Sequence, residues 1–455
     1  MPVSEAQFNE FQDFVQAAVT RRRVPGVAIG LFQDGIEHTA AFGVTNVDHP
    51  LPVDADTLFQ VGSITKTFTA TAAMRLVDEG RLDLDRPVRA YLSDLRLADP
   101  DAAAAVTPRH LLTHTAGWVG DYFSDTGRGD DALARYVGEM ADLEQLTPPG
   151  AVYSYCNSGF SLLGRVIEVL TGETFEAALK QLVLTPLGLG RSFLFPEEVM
   201  TQRYAAGHAG AQDGEVRVLQ PWHLTRAVTP AGGLVASVKD QLRYARFHLG
   251  DGTGVDGEPV LSAATLRAMR QPLLPSTGLP RRAVGLAWNI GPHGDVAHGG
   301  GTHGQSTLLL FCPDQGLALS VLTNAGTGSD VALEAANWVL ERLVGVRQPR
   351  TPAVPVPGDV LDRCVGLYRR SVGDVEIGRL GDALVARAID RGGFPTRATP
   401  PADVVPPLIR MGFYAEDRLV GLDPPFLETR AELIREPDGG VAWLRFGGRI
   451  HRRIQ

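Results

Sequence analysis

The sequence predicts an α+β protein in which an antiparallel sheet flanked by helices is followed by a second, small all-β barrel domain. Three observations favour this class. Helical patterns dominate up to residue 249, strand-like runs follow Ala283, and a proline-rich segment separates these runs from about a hundred residues of short β-type runs. Strands grouped in this way exclude a βαβ series.

The first predicted elements are a helix and a hairpin. Residues 4–22 carry apolar side chains at helical spacing. From Val27, two β-type runs are joined by Asp34-Gly35, a dipeptide typical of hairpin turns. Further predicted helices run from Ser63 to Arg81, from Thr107-Pro108 towards Gly117, over 158–171 and over 238–249.

Four strand-like runs after Ala283 predict the central sheet. Their sequences are VGLAWNI, DVAHGG, STLLLFCP and LALSVLTNA, and Pro313 to Gly316 form the turn between the last two. We expect these strands to be neighbours in an antiparallel sheet. A closing helix over 329–344 is expected to pack on it together with the N-terminal helix.

The predicted domains are residues 1–345, a linker over 346–358 and a barrel over 359–455. The linker VRQPRTPAVPVPG contains four prolines and no periodic pattern, which indicates a stiff spacer. Beyond it, short β-type runs alternate with glycine and aspartate turns, as in a small antiparallel barrel. We expect this domain to shape access to a site and to supply no catalytic group.

Composition limits the function classes. The chain has 455 residues, 44% of them hydrophobic, and a net charge of −9 without a long basic stretch, so a nucleic-acid partner is not expected. The N-terminus lacks the basic start and apolar block of a signal peptide, and no apolar run is long enough for a membrane helix. We therefore expect a cytoplasmic protein without membrane contact. Its three cysteines are scattered, and homo-oligomerisation is left open.

Ser63 and Lys66 form the first candidate motif, FQVGSITKTF. They are one helical turn apart, so their side chains share a face, which suits a nucleophile and its proton partner. At the start of a helix, unpaired N–H groups also favour negative charge on the hydroxyl. Taken alone, the spacing favours an N-cap serine followed by a solvated lysine.

Tyr155 and Asn157 lie in the second motif, YSYCN, in a predicted turn before a helix. A tyrosine beside a cationic lysine is drawn towards the phenolate, and can then act as a base towards Ser63 and as an acid towards the leaving group. The Asn157 amide suits a contact with a substrate amide. The alternative is a packed tyrosine and a turn asparagine.

The third motif, AHGGGTHG, contains His298 at the end of a predicted strand, followed by Gly299, Gly300 and Gly301. Glycines allow a substrate to lie against bare backbone, and a backbone N–H here can complete an oxyanion hole. The alternative is a glycine-rich turn with a half-buried histidine.

In this order and at these separations, FQVGSITKTF, YSYCN and AHGGG resemble the class C β-lactamase and DD-peptidase family of penicillin-recognising serine hydrolases (peptidase family S12). TPRHLLTHTAGW at 107–118 and TPAGGLVASVKDQLRYARF at 229–247 extend the resemblance over most of residues 10–345. It implies the β-lactamase/transpeptidase-like fold. The linker and barrel are similar in architecture to family peptidases with a lipocalin-like C-terminal domain, including enzymes that act on peptides with D-residues.

The resemblance implies that Ser63 is the nucleophile, Lys66 its proton-sharing partner and Tyr155 the general base. It also implies that Asn157 contacts a substrate amide and that the backbone N–H groups of Ser63 and Gly301 form an oxyanion hole. His298 and Gly300 are implied as further substrate-binding residues. No cofactor or metal is implied.

His298 departs from the typical β-lactamase pattern, which has lysine in a Lys-Thr-Gly triplet. Many esterases and D-aminopeptidases of the family have histidine there. Because histidine is mostly neutral at pH 7, an ester or amide without a carboxylate becomes the favoured small-molecule or peptide substrate. β-Lactamase or DD-carboxypeptidase activity is the alternative.

A metal site and a non-catalytic protein are two further alternatives. His110 and His114 lie four apart, and His293, His298 and His303 are evenly spaced, but HLLTH lacks the glutamate of a zinc peptidase. We expect no metal site, and expect His114 to hold its helix and turn by a backbone hydrogen bond. A non-catalytic binding or filament-forming protein on the same fold is the other alternative, and the presence of all three catalytic candidates argues against it.

Overall fold

The computed structural model of the chain describes residues 2–210, 215–275, 283–347, 350–402, 405–436 and 438–454. Its fold is the predicted α+β class. An eight-stranded antiparallel sheet flanked by helices forms the larger domain, and a closed eight-stranded barrel forms the smaller one. The predicted linker lies partly outside the described residues, at 348–349.

Helices build most of the larger domain. In chain order they are α1 (Glu5–Arg22), α2 (Thr65–Asp78), α3 (Pro100–Ala105), α4 (Pro108–Leu112), α5 (Ala132–Glu139), α6 (Asn157–Thr171), α7 (Phe175–Leu179), α8 (Pro196–Val199), α9 (Thr229–Gly232), α10 (Val238–Leu249), α11 (Ala263–Met269) and α12 (Gly328–Val339). A further helix, α13 (Gly358–Cys364), packs on the core of the barrel. A 3-10 turn, Gly62–Ile64, leads directly into α2, and a π-helical turn, Leu340–Val344, extends α12.

The strands fall into two main sheets and two small ones. The larger domain contains β1 (Gly26–Gln33), β2 (Ile36–Gly43), β3 (Phe59–Gln60), β4 (Ser192–Phe193), β5 (His208–Gly210), β6 (Val216–Val218), β7 (Val235–Ala236), β8 (Leu274–Pro275), β9 (Ala283–Val284), β10 (Asn289–Ile290), β11 (Val296–Thr302), β12 (Gln305–Cys312) and β13 (Leu317–Thr323). The barrel contains β14 (Gly366–Arg370), β15 (Gly373–Leu380), β16 (Ala383–Asp390), β17 (Ile409–Ala415), β18 (Arg418–Gly421), β19 (Arg430–Arg435), β20 (Val441–Phe446) and β21 (Arg449–Arg453).

Local signals explain the first elements. Ser4 and Gln7 form a reciprocal capping box that starts α1. Asp34 and Gly35 join β1 to β2 with φ angles of 49° and 89°, and such a pair of positive φ angles is what a two-residue hairpin turn needs.

The large sheet has helices on both faces, with the strand order β2-β1-β13-β12-β11-β10-β9-β8. Ile29 of β1 belongs to the core that α1 and α12 form on one face. Gly30, the next residue, approaches Leu242 of α10. Because successive strand residues point to opposite faces, α10 covers the second face.

One predicted strand is wrong. VGLAWNI was expected to be a single strand, but only its ends belong to β9 and β10, which pair with each other. Ala287, between them, has a φ of 62° and turns the chain back. Trp288 is almost completely buried, so this hydrophobic run reflects a buried turn.

Two helices near the motifs are shorter than predicted. The Ser63–Arg81 segment begins as a 3-10 turn and its α-helix ends at Asp78. The helix that starts after Thr107 ends at Leu112, well before Gly117. Their starting points follow the prediction, because Thr107 caps α4.

The barrel strands follow one another in chain order, and β14 pairs with β21 to close the ring. Its interior is filled by buried side chains such as Tyr368, Leu384 and Leu444. This up-and-down closure is the lipocalin-like arrangement that the resemblance implied. None of the described helices has the length and hydropathy needed to span a membrane.

Candidate active site

The turn that carries Ser63 lies directly against the glycine stretch of β11. Gly62 has a φ of 53°, and a Cβ placed on it would lie 2.7 Å from Gly301 N. A Cβ on Gly300 would lie 1.9 Å from Val61 O. Glycine is therefore required where the two elements meet, and this contact brings Ser63 beside Gly301.

Lys66 is buried beneath Ser63. Its Nζ lies 3.1 Å from Ser63 Oγ and donates to Ala231 O at 2.6 Å. Burial holds the pKa of Lys66 well below its ordinary value, and the Arg449 charge adds to this effect. The alternative of a solvated lysine is wrong, and the amine can accept a proton from the serine hydroxyl.

Tyr155 lies against Lys66, whose Nζ is 4.8 Å from the tyrosine ring centroid. Its hydroxyl is buried and forms no hydrogen bond of standard geometry among the described residues. Burial raises the pKa of Tyr155, while Ser63 and Arg449 oppose this shift. Burial thus favours the phenol as the resting form of Tyr155. The sequence had suggested that the lysine draws this side chain towards the phenolate.

His114 is a neighbour of Tyr155 that sequence reasoning did not place at the site. The two rings stack with centroids 4.3 Å apart. His114 Nδ1 accepts a hydrogen bond from Cys156 N at 3.0 Å, so its side chain holds the loop of Tyr155, where a bond to its own helix and turn was expected. Burial, then the Lys66 charge, lowers the pKa of His114 well below its usual range.

Asn157 begins α6 and faces a buried carboxylate. Its Nδ2 donates to Asp121 Oδ1 at 2.6 Å. The amide nitrogen is therefore engaged within the protein, and the predicted contact with a substrate amide stays a prediction that rests on the amide oxygen.

His298 lies in the wall of the same site, with its ring centroid 6.3 Å from that of Tyr155. Its Nδ1 is 2.7 Å from Gly299 O, so Nδ1 carries the proton and Nε2 is left as an acceptor. Burial and the Lys66 charge lower the pKa of His298 to about 3. The histidine is neutral, as the sequence indicated.

The barrel also reaches the site, which the sequence did not predict. Arg449 Cζ lies 4.6 Å from the Tyr155 ring centroid, and Arg449 Nε donates to Asp121 Oδ2 at 2.7 Å. Tyr155 N donates to Gly448 O at 2.8 Å. Residues 359–455 therefore contribute a side chain to the wall of the site, and the expectation that they supply no catalytic group stays a prediction. The sequence signal was weak: a Gly-Gly turn before an arginine, in FGGRIHRR.

These elements line an open cavity of about 560 Å³. Its walls are the Ser63 turn, Tyr155, the β11 stretch from His298 to Gly301, α12, and the barrel turn at Gly447 and Arg449. Within the described ranges, no three His, Cys, Asp or Glu side chains are grouped as metal ligands. His110 instead accepts a hydrogen bond from Thr107 N.

Comparison with known proteins extends over both domains. The Beta-lactamase family model matches residues 11–342. Penicillin-binding protein 4 of Amycolatopsis lactamdurans is 38% identical over 383 residues, which cover 82% of this chain and 100% of that protein. The structure of SurE with D-Leu matches with a TM-score of 0.76 and 27% identity, covering 99% of this chain and 100% of that one. The octameric penicillin-binding protein homologue from Pyrococcus abyssi matches with a TM-score of 0.65 and 25% identity, covering 98% and 99%.

The family match spans the three motifs, and the two structures span the barrel as well. The resemblance inferred from FQVGSITKTF, YSYCN and AHGGG is thereby confirmed. The chain belongs to the Beta-lactamase family, that of the β-lactamase-like and penicillin-binding-protein-like serine hydrolases.

Proposed function

We propose that this chain hydrolyses amide or ester bonds through an acyl-enzyme on Ser63. The observation that carries the proposal is the 3.1 Å contact between Ser63 Oγ and the buried Lys66 amine, at the edge of a cavity of about 560 Å³. A serine hydroxyl needs a nearby proton acceptor to become a nucleophile, and an amine with a lowered pKa is one.

The proposed reaction begins when Ser63 Oγ attacks the substrate carbonyl and passes its proton to Lys66 Nζ. Tyr155, whose ring adjoins that amine, donates its own proton to the leaving group. In the second half, Tyr155 as phenolate takes a proton from the water that attacks the acyl group, and Lys66 Nζ returns its proton to Ser63 Oγ as the bond between that oxygen and the acyl carbon breaks. Tyr155 is thus the general base of deacylation, and Lys66 the first acceptor.

Backbone donors are proposed to stabilise the tetrahedral intermediate. The Ser63 turn and Gly301 lie within contact distance because Gly62 lacks a side chain. N–H groups of Ser63 and Gly301, held on a helix start and a strand, form the oxyanion hole in this proposal. Such donors are often the largest electrostatic contribution to acyl transfer.

D-amino-acid-containing peptides or amides, together with small carboxylic esters, are the proposed substrates. The SurE structure, which resembles this chain over both domains, contains D-Leu. Neutral His298 favours substrates without a carboxylate. Arg449 weakens that argument, because it places a cation in the same cavity wall.

β-Lactamase or DD-carboxypeptidase activity is the second candidate. It is favoured by the similarity to Penicillin-binding protein 4, whose whole length this chain matches, and by the cation at Arg449.

Homo-oligomerisation also stays a prediction, supported by the octameric homologue and testable by light scattering.

Replacement of Ser63 by alanine tests the proposal. We expect Ser63→Ala to abolish hydrolysis and labelling by a fluorophosphonate or a fluorescent penicillin, with the wild-type label mapped to Ser63. Ser329→Ala, which changes a serine of the same cavity wall on α12, is the matched control and should keep both. Label on another residue would overturn the assignment of Ser63 as the nucleophile, and an inert wild type would favour the non-catalytic alternative.

Turnover measurements on the same proteins distinguish between the two proposed substrate classes. Turnover of p-nitrophenyl acetate and butyrate, D-amino-acid amides and a chromogenic cephalosporin is compared at equal enzyme concentration. Preference for the esters or D-amides supports the first candidate, and preference for the cephalosporin supports the second.

A further inference from the structure

Arg449 belongs to the barrel, yet its guanidinium lies over the ring of the proposed acid and base. It is the first residue of β21 and follows a turn at Gly447 and Gly448. Its Cζ is 4.6 Å from the Tyr155 ring centroid. Since Gly448 O also accepts a hydrogen bond from Tyr155 N, one barrel turn contacts both the backbone and the ring of Tyr155.

Asp121 holds the guanidinium in this position. Arg449 Nε donates to Asp121 Oδ2 at 2.7 Å, and Arg370 Nη1 donates to the same oxygen at 2.5 Å. Asn157 occupies the other oxygen. Two guanidinium groups share one carboxylate, so this buried cluster has an excess positive charge beside the Tyr155 ring.

The titratable or charged groups that face Tyr155 are Lys66, His114, Asp121, Tyr153, His298 and Arg449. Burial favours the uncharged forms of Lys66, His114 and His298, since it lowers the pKa of each. Burial likewise opposes the charge of Arg449, but the Asp121 charge and hydrogen bond outweigh it and raise the pKa of Arg449. Arg449 therefore stays charged throughout the cycle.

We propose that Arg449 is a positioning residue of the hydrolytic reaction, which the barrel holds against Tyr155 so that its charge stabilises the Tyr155 phenolate. The inference rests on the proposed acyl-enzyme function. When the Tyr155 hydroxyl gives its proton to the leaving group, the O–H bond breaks and negative charge remains on the phenolate oxygen. Arg449 offsets that charge until water returns a proton during deacylation.

Three acetate esters test the inference, because they differ in how much proton donation they need. The esters are p-nitrophenyl acetate, phenyl acetate and 3-acetoxybenzoate. The p-nitrophenolate group leaves without a proton, whereas the phenolate of phenyl acetate leaves less readily and needs proton donation more. 3-Acetoxybenzoate is the phenyl ester with an added carboxylate. For each ester, kcat/KM is measured from pH 6 to 11 in the full-length chain. Because kcat/KM reports the acylation step, in which Tyr155 acts as an acid, the descending limb at high pH that Tyr155→Phe removes is assigned to Tyr155.

Arg449→Gln removes the charge but keeps a hydrogen-bonding side chain. We expect its kcat/KM to fall about tenfold or more with phenyl acetate and less with p-nitrophenyl acetate. The Tyr155 limb should move to higher pH, because loss of a nearby cation disfavours the phenolate. Arg449→Lys should recover part of both effects. Arg449→Met is used in place of Arg449→Gln if the latter does not fold.

Arg452→Gln is the matched control on the same strand. Arg452 Nη1 donates to Glu144 across the domain contact at 2.8 Å, and its guanidinium lies over Trp443. It should retain the wild-type rates and pH limb, whereas a purely structural role of the domain contact would make it as damaging as Arg449→Gln.

Three results would overturn the inference. The first is an Arg449→Gln variant with unchanged kcat/KM for the esters and an unchanged pH limb, and the second is an equal loss of kcat/KM in Arg452→Gln. The third is a loss of kcat/KM in Arg449→Gln that is confined to 3-acetoxybenzoate. The last would make Arg449 a binding group for a substrate carboxylate. Failure of the proposed function is a separate result, since the wild type would then neither hydrolyse the esters nor be labelled at Ser63, and the inference would fall with it.

Discussion

Burial sets the charge of the residues around Ser63. It lowers the pKa of Lys66 and raises that of Tyr155, so that both favour uncharged forms in the resting site. A neutral amine in contact with the serine hydroxyl, and a phenol beside that amine, form a path along which one proton can pass. Residues on one path are expected to act as a unit.

Non-additive effects of Lys66→Ala and Tyr155→Phe would reveal that unit. We expect each variant to lose about 100-fold or more in kcat/KM for p-nitrophenyl butyrate, and the double variant to lose little more than the worse single one. Steady-state rates of the four proteins complete the double-mutant cycle. If the losses multiply, the two residues act independently and the shared path is wrong.

The contact between the Ser63 turn and β11 gives a prediction at the scale of elements. A Cβ on Gly300 would lie 1.9 Å from Val61 O, whereas a Cβ on Gly301 meets no atom within 4 Å. Gly300→Ala must therefore push β11 away from the turn and widen the proposed oxyanion hole. We expect a loss of about 100-fold in kcat for p-nitrophenyl acetate.

Gly301→Ala is the matched control, because it adds the same methyl group one residue along and keeps the backbone N–H. It should stay within a few-fold of the wild-type kcat. Melting temperatures are compared to exclude unfolding. Equal rates for the two variants would mean that the contact between the elements does not set the geometry of the site.

Elements with local signals were predicted closely. The capped start of α1, the Asp34-Gly35 turn and the bounds of α10 follow from side chains within a few residues of each boundary. VGLAWNI failed because the turn at Ala287 depends on tertiary packing around Trp288. The motif residues Ser63, Lys66 and His298 do meet in one site, since each motif lies at the end of a predicted element.

At the scale of the whole molecule, the barrel domain and the candidate active site, which were predicted separately, are in contact. A second barrel domain was predicted from composition and strand pattern, but its insertion into the site was not. Asp121 and Arg449 are 328 residues apart, and no local pattern marks either as a partner of the other. Contacts of this kind follow from how two folded domains pack, which the spacing of residues along the chain does not encode.

The ion pairs of Asp121 with Arg370 and Arg449 make the stability of the two-domain chain depend on pH. The two guanidinium groups outweigh burial and hold the pKa of Asp121 at about 2, below its unfolded value. A depressed carboxyl pKa adds stability above the unfolded pKa, and this is lost as pH falls from about 5 towards 2. The contribution amounts to about 2 kcal/mol at pH 7.

Asp121→Asn should remove that pH dependence. At pH 7 the variant leaves two buried guanidinium groups without their carboxylate, so we expect its free energy of unfolding in urea to fall by about 3 kcal/mol or more. At pH 3 the difference from wild type should shrink, because the wild-type carboxyl is then closer to protonation. Glu144→Gln, which breaks the half-exposed pair with Arg452 across the same domain contact, is the control and should cost under about 1 kcal/mol at both pH values. A difference between Asp121→Asn and wild type that is equal at pH 7 and pH 3 would mean that the Asp121 charge does not hold the barrel to the catalytic domain.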